Sequence, residues 1–121
     1  MAQYLILIYG DEAAEAAMSA EQWQALMAEH DAFSKAVVDA GGSVVGGGAL
    51  QPSTTATSVR GTSAAGEGAL LTDGPFLTVK EQLGGYYHLE VPDLDVALEL
   101  ARRCPAPSGG VELRPVLEMN G

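Results

Sequence analysis

Cysteine is nearly absent from this chain. Cys104 is the single cysteine among 121 residues, so an internal disulfide and a cysteine-rich metal site are both excluded. One free thiol fits a reducing compartment, and we expect a cytoplasmic location. Cys104 comes directly before Pro105 at a predicted helix end, where a free cysteine usually behaves as a small, half-buried hydrophobic residue.

Positive charge is also scarce. Six lysines and arginines stand against sixteen aspartates and glutamates, which gives a formal net charge of −10. Six cations scattered along the chain do not form a basic patch. We therefore expect neither nucleic acid nor an anionic membrane surface as a partner. The acidity also disfavours highly anionic ligands unless a local group of cations holds them.

Long apolar runs are missing as well. The run Tyr4–Tyr9 is stopped by Gly10-Asp11-Glu12, and it is far too short to span a bilayer. It also has no basic residues before it. It therefore predicts a buried strand and not a signal peptide or a membrane anchor.

Cofactor motifs are lacking too. The chain has two histidines and no cysteine or histidine at ligand spacing, so a zinc site is not expected. The glycine run Gly46–Gly48 lacks the Lys-Ser/Thr ending and the following helix of a phosphate loop. No serine or cysteine has the setting of a nucleophile elbow. We therefore expect no metal and no cofactor.

What is present is an alternation of strand and helix patterns, which we interpret as a single domain spanning residues 1–121. Ser19 and Gln22 form a capping box that begins a long helix, and Gly41-Gly42 ends it. Its apolar stripe includes Trp23 and Met27, which we assign to the core. The predicted elements are a strand at 3–9, an acidic loop at 10–18, the helix from 19, a strand at 43–50, hairpin strands at 54–60 and 69–72, a loop at 73–83 with a helical turn near 79–82, a strand at 86–91, a helix at 93–104 and a strand at 110–119.

This order predicts an α+β fold of the ferredoxin-like type, with an antiparallel sheet and helices on one face. The other face of the sheet then needs cover, because the first strand is apolar throughout Leu5–Ile8. A second copy packed sheet against sheet supplies that cover. We therefore expect a homodimer that forms a dimeric α+β barrel.

His30 and Asp73 are the candidate catalytic residues. His30 occupies the otherwise apolar stripe of the long helix, and its imidazole can give or take a proton near neutral pH. Asp73 ends a short apolar run before Gly74-Pro75, at the mouth of a predicted strand. A simpler interpretation of each stays open: a buried histidine satisfied by a backbone carbonyl, and an aspartate that only starts a turn.

Lys80 and Tyr86 are the candidate substrate-binding residues. Lys80 is either a solvated surface residue or part of a lid that holds a carboxylate or enolate over a pocket. Tyr86 and Tyr87 alternate in a predicted strand, so one faces the core and the other can offer its hydroxyl to a pocket. His88 shares the side of Tyr86, and we interpret it as a surface or interface residue.

The block Asp73-Gly74-Pro75-Phe76, followed by Lys80-Glu81-Gln82-Leu83-Gly84-Gly85-Tyr86-Tyr87, resembles the YCII-related superfamily and, more narrowly, its DGPF-domain group. The similarity covers nearly the whole chain, including the opening Tyr4–Asp11. The resemblance implies a dimeric ferredoxin-like fold, related to muconolactone-isomerase-like proteins. It also implies an active site whose histidine and aspartate are His30 and Asp73 here. Most members of this group have no established reaction, so the resemblance bears more on fold than on function.

Three functions stay open at this stage. One is an enzyme without a cofactor, of isomerase or lyase type, in which His30 and Asp73 perform acid–base chemistry on a small organic molecule. Another is a dimeric module that binds a small molecule or regulates, without catalysis. The last is a structural dimer whose partner is another protein. A pocket that contains His30 and Asp73 favours the first two.

Overall fold

The structure is a computed structural model that describes residues 1–119. The predicted order of strands and long helices is confirmed. Its elements are β1 (Ala2–Asp11), α1 (Glu12–Ala16), α2 (Ala20–Asp39), β2 (Ser43–Ala49), a 3₁₀ turn (Ser53–Thr55), β3 (Thr57–Arg60), β4 (Leu70–Asp73), β5 (Glu81–Val91), α3 (Leu94–Arg103) and β6 (Gly110–Pro115). The acidic loop predicted at 10–18 contains the short helix α1, because the Asp11 carboxylate accepts hydrogen bonds from the backbone N–H groups of Ala13 and Ala14.

Four strands form an antiparallel sheet in the order β2-β5-β1-β6. This is the ferredoxin-like arrangement, in which two strand–helix–strand halves interleave. Buried residues of α2 and α3 belong to one cluster with the same side of β1 and β5, so both long helices cover one face. The predicted α+β class is confirmed, with β3 and β4 as an additional two-stranded hairpin.

The core lies between the sheet and the two long helices. Ile6 of β1 and Leu89 of β5 are fully buried in the same cluster as Phe33 and Val37 of α2. Leu26 is also buried and lies seven residues before Phe33, so one face of α2 carries these side chains. Full burial of each such side chain contributes roughly 1.5–3 kcal/mol. This contact therefore determines how α2 lies on the sheet.

Trp23 and Met27 do not belong to the core, contrary to the prediction from helical spacing. They are 50% and 40% exposed, and both border an open cavity beside the first half of α2. Helical periodicity identifies which face of a helix is apolar. It does not determine how far along the helix the neighbouring sheet extends.

Both ends of α2 are confirmed. The Ser19 hydroxyl accepts a hydrogen bond from the Gln22 backbone N–H at 3.1 Å, and the Gln22 side chain accepts one from the Ser19 N–H at 2.9 Å. Gly41 takes a left-handed φ of 84° at the other end, which favours glycine. A Cβ on Gly42 would lie 2.7 Å from the Glu90 carbonyl oxygen. No helix within residues 1–119 is long and apolar enough to cross a membrane.

The hairpin of β3 and β4 is confirmed, and the segment that follows β4 is hydrogen-bonded to the start of β3. Asp73, the last residue of β4, lies opposite Thr57. Gly74 has a φ of 107°, its N–H donates to the Ala56 carbonyl at 2.7 Å, and its carbonyl accepts from the Ser58 hydroxyl at 2.8 Å. Asp73 and Gly74 therefore continue the pairing with β3, and the chain bends at Gly74.

Two boundaries predicted from local pattern are wrong. No helical turn forms near 79–82, because Glu81 and Gln82 already belong to β5 and pair with the end of β1. The last strand ends at Pro115 and does not reach Met119, although the Val116 N–H still donates to the Gln3 carbonyl of β1 at 3.0 Å. In the first case, pairing with a distant strand overrides a weak local preference.

Replacing the residue that caps α2 tests how much the first turn of this helix contributes. We expect Ser19→Ala to lower the free energy of unfolding by about 1 kcal/mol, because one backbone N–H loses its acceptor. Urea denaturation measures this loss. Ser63→Ala, a matched change in an exposed loop, should leave the unfolding midpoint unchanged. Equal effects of the two substitutions would show that the capping box contributes nothing.

Candidate active site

A cavity of about 490 Å³ lies beside α1 and the first half of α2, against β2 and β5. It is bordered by the segments Gly48–Pro52 and Gly84–Tyr87, and by Pro105 and Pro107 after α3. Its size is within the range of cavities that hold small organic molecules. Apolar and aromatic residues form much of its lining: Ile8, Ala16, Trp23, Leu26, Met27, Ala49, Leu50 and Tyr87.

A second hollow, of about 380 Å³, is a groove between α2 and α3. Its charged side chains form ion pairs with one another. Lys35 pairs with Asp39 at 2.8 Å, and Arg103 pairs with Glu99 at 3.3 Å. These pairs are exposed and worth little. The groove also holds no histidine, tyrosine, serine or cysteine, so the first cavity is the better candidate for chemistry.

His30 and Tyr87 form a hydrogen-bonded pair at the wall of the larger cavity. The His30 Nδ1 atom lies 2.6 Å from the Tyr87 hydroxyl, and both residues line the cavity. His30 lies four residues after Leu26 and three before Phe33, so it shares their helix face. The Tyr87 ring centroid is 4.8 Å from that of Phe33. The aromatic contact in the core therefore holds the hydroxyl at the histidine.

Burial determines the protonation state of this pair. It lowers the pKa of His30 from its ordinary value of 6.5, although the neighbouring Glu29 and Asp31 carboxylates act in the opposite direction. It raises the pKa of the Tyr87 phenol. At neutral pH the pair therefore consists of a neutral imidazole and a protonated phenol. One imidazole nitrogen is then a hydrogen-bond donor and the other an acceptor, which suits transfer of a proton.

Two carboxylates line the same cavity. Glu12 accepts a hydrogen bond from the Ser53 backbone N–H at 2.6 Å and another from the Ser53 hydroxyl, which joins α1 to the 3₁₀ turn. Burial raises the pKa of Glu15, and the charges of Glu12 and Asp11 raise it further. Within residues 1–119, no group of three histidine, cysteine or acidic side chains is arranged to hold a metal ion.

Asp73 and Lys80 lie outside this cavity. Asp73 is exposed at the end of β4, and no hydrogen bond joins it to His30 in the described part of the chain. Lys80 is exposed directly before β5. A single chain therefore does not bring Asp73 to His30. The catalytic role of Asp73 and the binding role of Lys80 stay predictions.

The two tyrosines of β5 separate as strand alternation requires. Tyr87 lies opposite Ile6 and Tyr86 opposite Leu7, so Tyr87 faces the helices and Tyr86 faces the other side of the sheet. Tyr86 is among the residues that border the cavity, and its ring is 3.6 Å from where a Gly48 Cβ would be. Its binding role stays a prediction, whereas the hydroxyl that meets His30 belongs to Tyr87.

Sequence reasoning did not select Tyr87 as a site residue, although a signal was present. Leu89 and Val91 continue the alternation from Tyr87 as apolar residues, whereas the intervening positions are His88 and Glu90. That pattern assigns Tyr87 to the buried face, which is also the face that His30 must approach. Glu12 and Glu15 carried no such signal, because they belong to a short acidic segment that looks solvated.

Comparison with known proteins gives two findings. A family model described as the YCII-related domain matches residues 2–120. The chain is also 36% identical over 118 residues to an uncharacterized protein of Rhizobium meliloti (strain 1021), covering 93% of this chain and 90% of that relative.

The titration of His30 gives a direct test of its environment. We expect its imidazole to titrate below the ordinary pKa of 6.5, because burial disfavours the charged form. The unfolded chain then binds more protons than the folded chain just below that value. The free energy of unfolding should therefore fall as the pH is lowered through this range.

Nuclear magnetic resonance of the His88→Gln variant measures the pKa of His30 directly, because this substitution leaves His30 as the single histidine of the chain. A midpoint at or above 6.5 would contradict the assignment. Denaturation of His30→Gln at the same pH values should show a weaker loss of stability on acidification.

Proposed function

Because the chain belongs to the YCII-related domain family, we propose that it performs acid–base chemistry, of isomerase or lyase type, on a small organic molecule. The observation that carries this proposal is the 2.6 Å contact between His30 Nδ1 and the Tyr87 hydroxyl at the wall of a 490 Å³ cavity. A neutral imidazole that is oriented by a hydrogen bond suits a general base. The protein's own side chains supply the proton donors and acceptors in this proposal.

The proposed step is the removal of a proton from a carbon next to a carbonyl group. In the tautomer whose Nδ1–H donates to Tyr87, the Nε2 lone pair of His30 takes the proton. The C–H bond breaks and its electron pair moves toward the carbonyl oxygen, which forms an enolate. The imidazolium then returns the proton at another carbon in an isomerisation, or a leaving group departs with its electron pair in an elimination. Tyr87 orients the ring throughout.

Asp73 has a place in this proposal as the carboxylate partner of His30 that the family resemblance implies. In one chain it lies at the end of the exposed hairpin strand β4. It reaches the cavity only if the hairpin moves or if a second copy supplies it. Lys80, in the same exposed segment, is proposed to reach a bound molecule by the same route.

A binding module without catalysis is the second candidate function. The observation that favours it is that His30 lines the cavity and Asp73 does not, together with the largely apolar lining of the cavity. A binding site needs only a suitable cavity and a few polar groups. In that case the His30–Tyr87 pair orients a ligand and no bond of the ligand changes.

We also propose a homodimer. Both long helices lie on one side of the sheet, and the other side presents Leu5, Leu7 and Tyr86 next to the small residues Gly46 and Gly48. The same side also carries polar residues: Gln3, His88, Glu90, Glu112 and Arg114. That side carries no long helix within the described residues. A second copy packed sheet against sheet would bury these side chains, and such an interface should exceed ~1,000 Å² in total.

The hairpin gives the dimer further support. Leu70, Leu71 and Leu77 are 68%, 70% and 65% exposed, which is costly for apolar side chains grouped in one segment. Residues 57–80 contain two cations and two anions, in a chain of net charge −10. Two strongly acidic copies repel each other least through such a neutral segment.

Substitution of the proposed base tests the catalytic function. If a screen of small lactones and enols finds a substrate, His30→Ala should lower turnover by ~10²–10⁴, because a positioned general base typically contributes that much. Tyr87→Phe should lower it less, since the imidazole remains but loses its orientation. Asp73→Asn should abolish turnover if the aspartate is its partner.

Gln24→Ala is the control, because Gln24 is exposed on the same helix α2 and borders neither the cavity nor the proposed dimer face. Thermal melts and sedimentation should show that every variant is folded and in the same oligomeric state. Full turnover by His30→Ala would end the catalytic proposal and leave the binding module. Full turnover by Asp73→Asn alone would remove only the aspartate from the mechanism.

Sedimentation tests the dimer. We expect a species of twice the 12.5 kDa chain mass at micromolar concentration. Leu7→Glu, on the proposed interface, should dissociate it, because the new carboxylate lies directly opposite Glu112 and the burial of an unpaired charge is costly. Val38→Glu should have no effect, because Val38 is 64% exposed on α2. A 12.5 kDa wild-type species would contradict the proposal.

A further inference from the structure

The charges around the cavity all have one sign. Glu12 and Glu15 are the formally charged residues of its lining, since His30 is neutral at pH 7. None of the six cationic side chains, all of which lie within residues 1–119, borders it. They lie on the outer surfaces of α2 and α3, on β6, on the hairpin and directly before β5: Lys35, Arg60, Lys80, Arg102, Arg103 and Arg114.

The two carboxylates differ in what they contact. Glu12 accepts hydrogen bonds from the backbone N–H and the hydroxyl of Ser53. Its carboxylate therefore also connects α1 to the 3₁₀ turn. Glu15 is half-buried, and in residues 1–119 no hydrogen bond or ion pair reaches its carboxylate. Carboxylates that lose water usually gain a donor or a cation. Glu15 therefore has the capacity to accept a donor that the cavity brings.

The rest of the lining suits the body of the same molecule. The Trp23 and Tyr87 rings and the Leu26 and Met27 side chains offer apolar and aromatic surface. An aromatic face also attracts a cation electrostatically. The neutral imidazole of His30 adds no positive charge that would repel one.

We propose that the cavity takes a small organic cation, namely a protonated amine on an apolar or aromatic body, with the amine held by Glu15. The inference rests on the proposed function, because it takes this cavity as the site of binding. A molecule that is anionic before it reacts is disfavoured, since it would place a third negative charge beside Glu12 and Glu15 with no lining cation to offset it. The enolate of a molecule that carries a protonated amine has no net charge, so the proposed step remains compatible with this cavity. Binding of the amine also relieves the mutual repulsion of those carboxylates.

Three probes of one skeleton test the ligand class: phenethylamine, phenethyl alcohol and phenylacetate. The single tryptophan, Trp23, borders the cavity, so its fluorescence reports binding directly. We expect the amine to bind about tenfold more tightly than phenylacetate at low ionic strength, with the alcohol between them. The preference should shrink as salt is added.

Glu15→Gln should remove most of the preference for the amine and leave the affinity for phenethyl alcohol unchanged. Glu67→Gln is the matched control, since it removes the same charge from the exposed hairpin loop and should keep the preference. Equal binding of the three probes, or tighter binding of phenylacetate, would overturn the cation inference and leave the cavity as a binding site. A preference that survives in Glu15→Gln would overturn the role of Glu15. If no probe binds, the cation inference fails, whereas the proposed function is still decided by the turnover screen with lactones and enols.

Discussion

The contact between the apolar stripe of α2 and the inner face of the sheet is the interaction on which the site depends. Phe33 and Val37 are buried against the sheet in one cluster with Leu89 of β5. Because a helix is rigid over one turn, this contact also determines where His30 lies. Tyr87 is positioned by the same contact, since its ring lies against Phe33. The polar pair is thus a consequence of core packing, and no flexible loop is needed to assemble it.

The same contact explains why the pair is chemically interesting. His30 lies at the margin of the core, where burial is sufficient to lower its pKa and a cavity still gives access to it. An imidazole deeper in the core would be inaccessible to a ligand. An imidazole on the surface would keep its ordinary pKa and would be partly protonated near neutral pH. α1 completes the margin by adding the carboxylates of Glu12 and Glu15, of which Glu12 is held in place by Ser53. The result is a cavity with a neutral proton acceptor and a negative electrostatic potential.

The hairpin shows the limit of reasoning from a motif. The chain bends after Asp73, as the residue types of Asp73-Gly74-Pro75-Phe76 favour, and Gly74 takes the φ that glycine allows. Asp73 and Gly74 pair with the start of β3, however, and one chain does not bring Asp73 to the cavity. Local chemistry predicts the conformation of a turn, but the position of that turn relative to a distant helix depends on how the whole chain packs.

The sequence by itself determined the element order, the ferredoxin-like class, both ends of α2 and the placement of His30 on a buried helix face. These features follow from periodicity, capping and turn residues, which act between near neighbours. Only the tertiary structure decided that Tyr87 partners His30, that Trp23 and Met27 border a cavity, and that β5 begins at Glu81. Each of these depends on contacts between residues far apart in the chain, and local pattern does not encode how far one element extends over another.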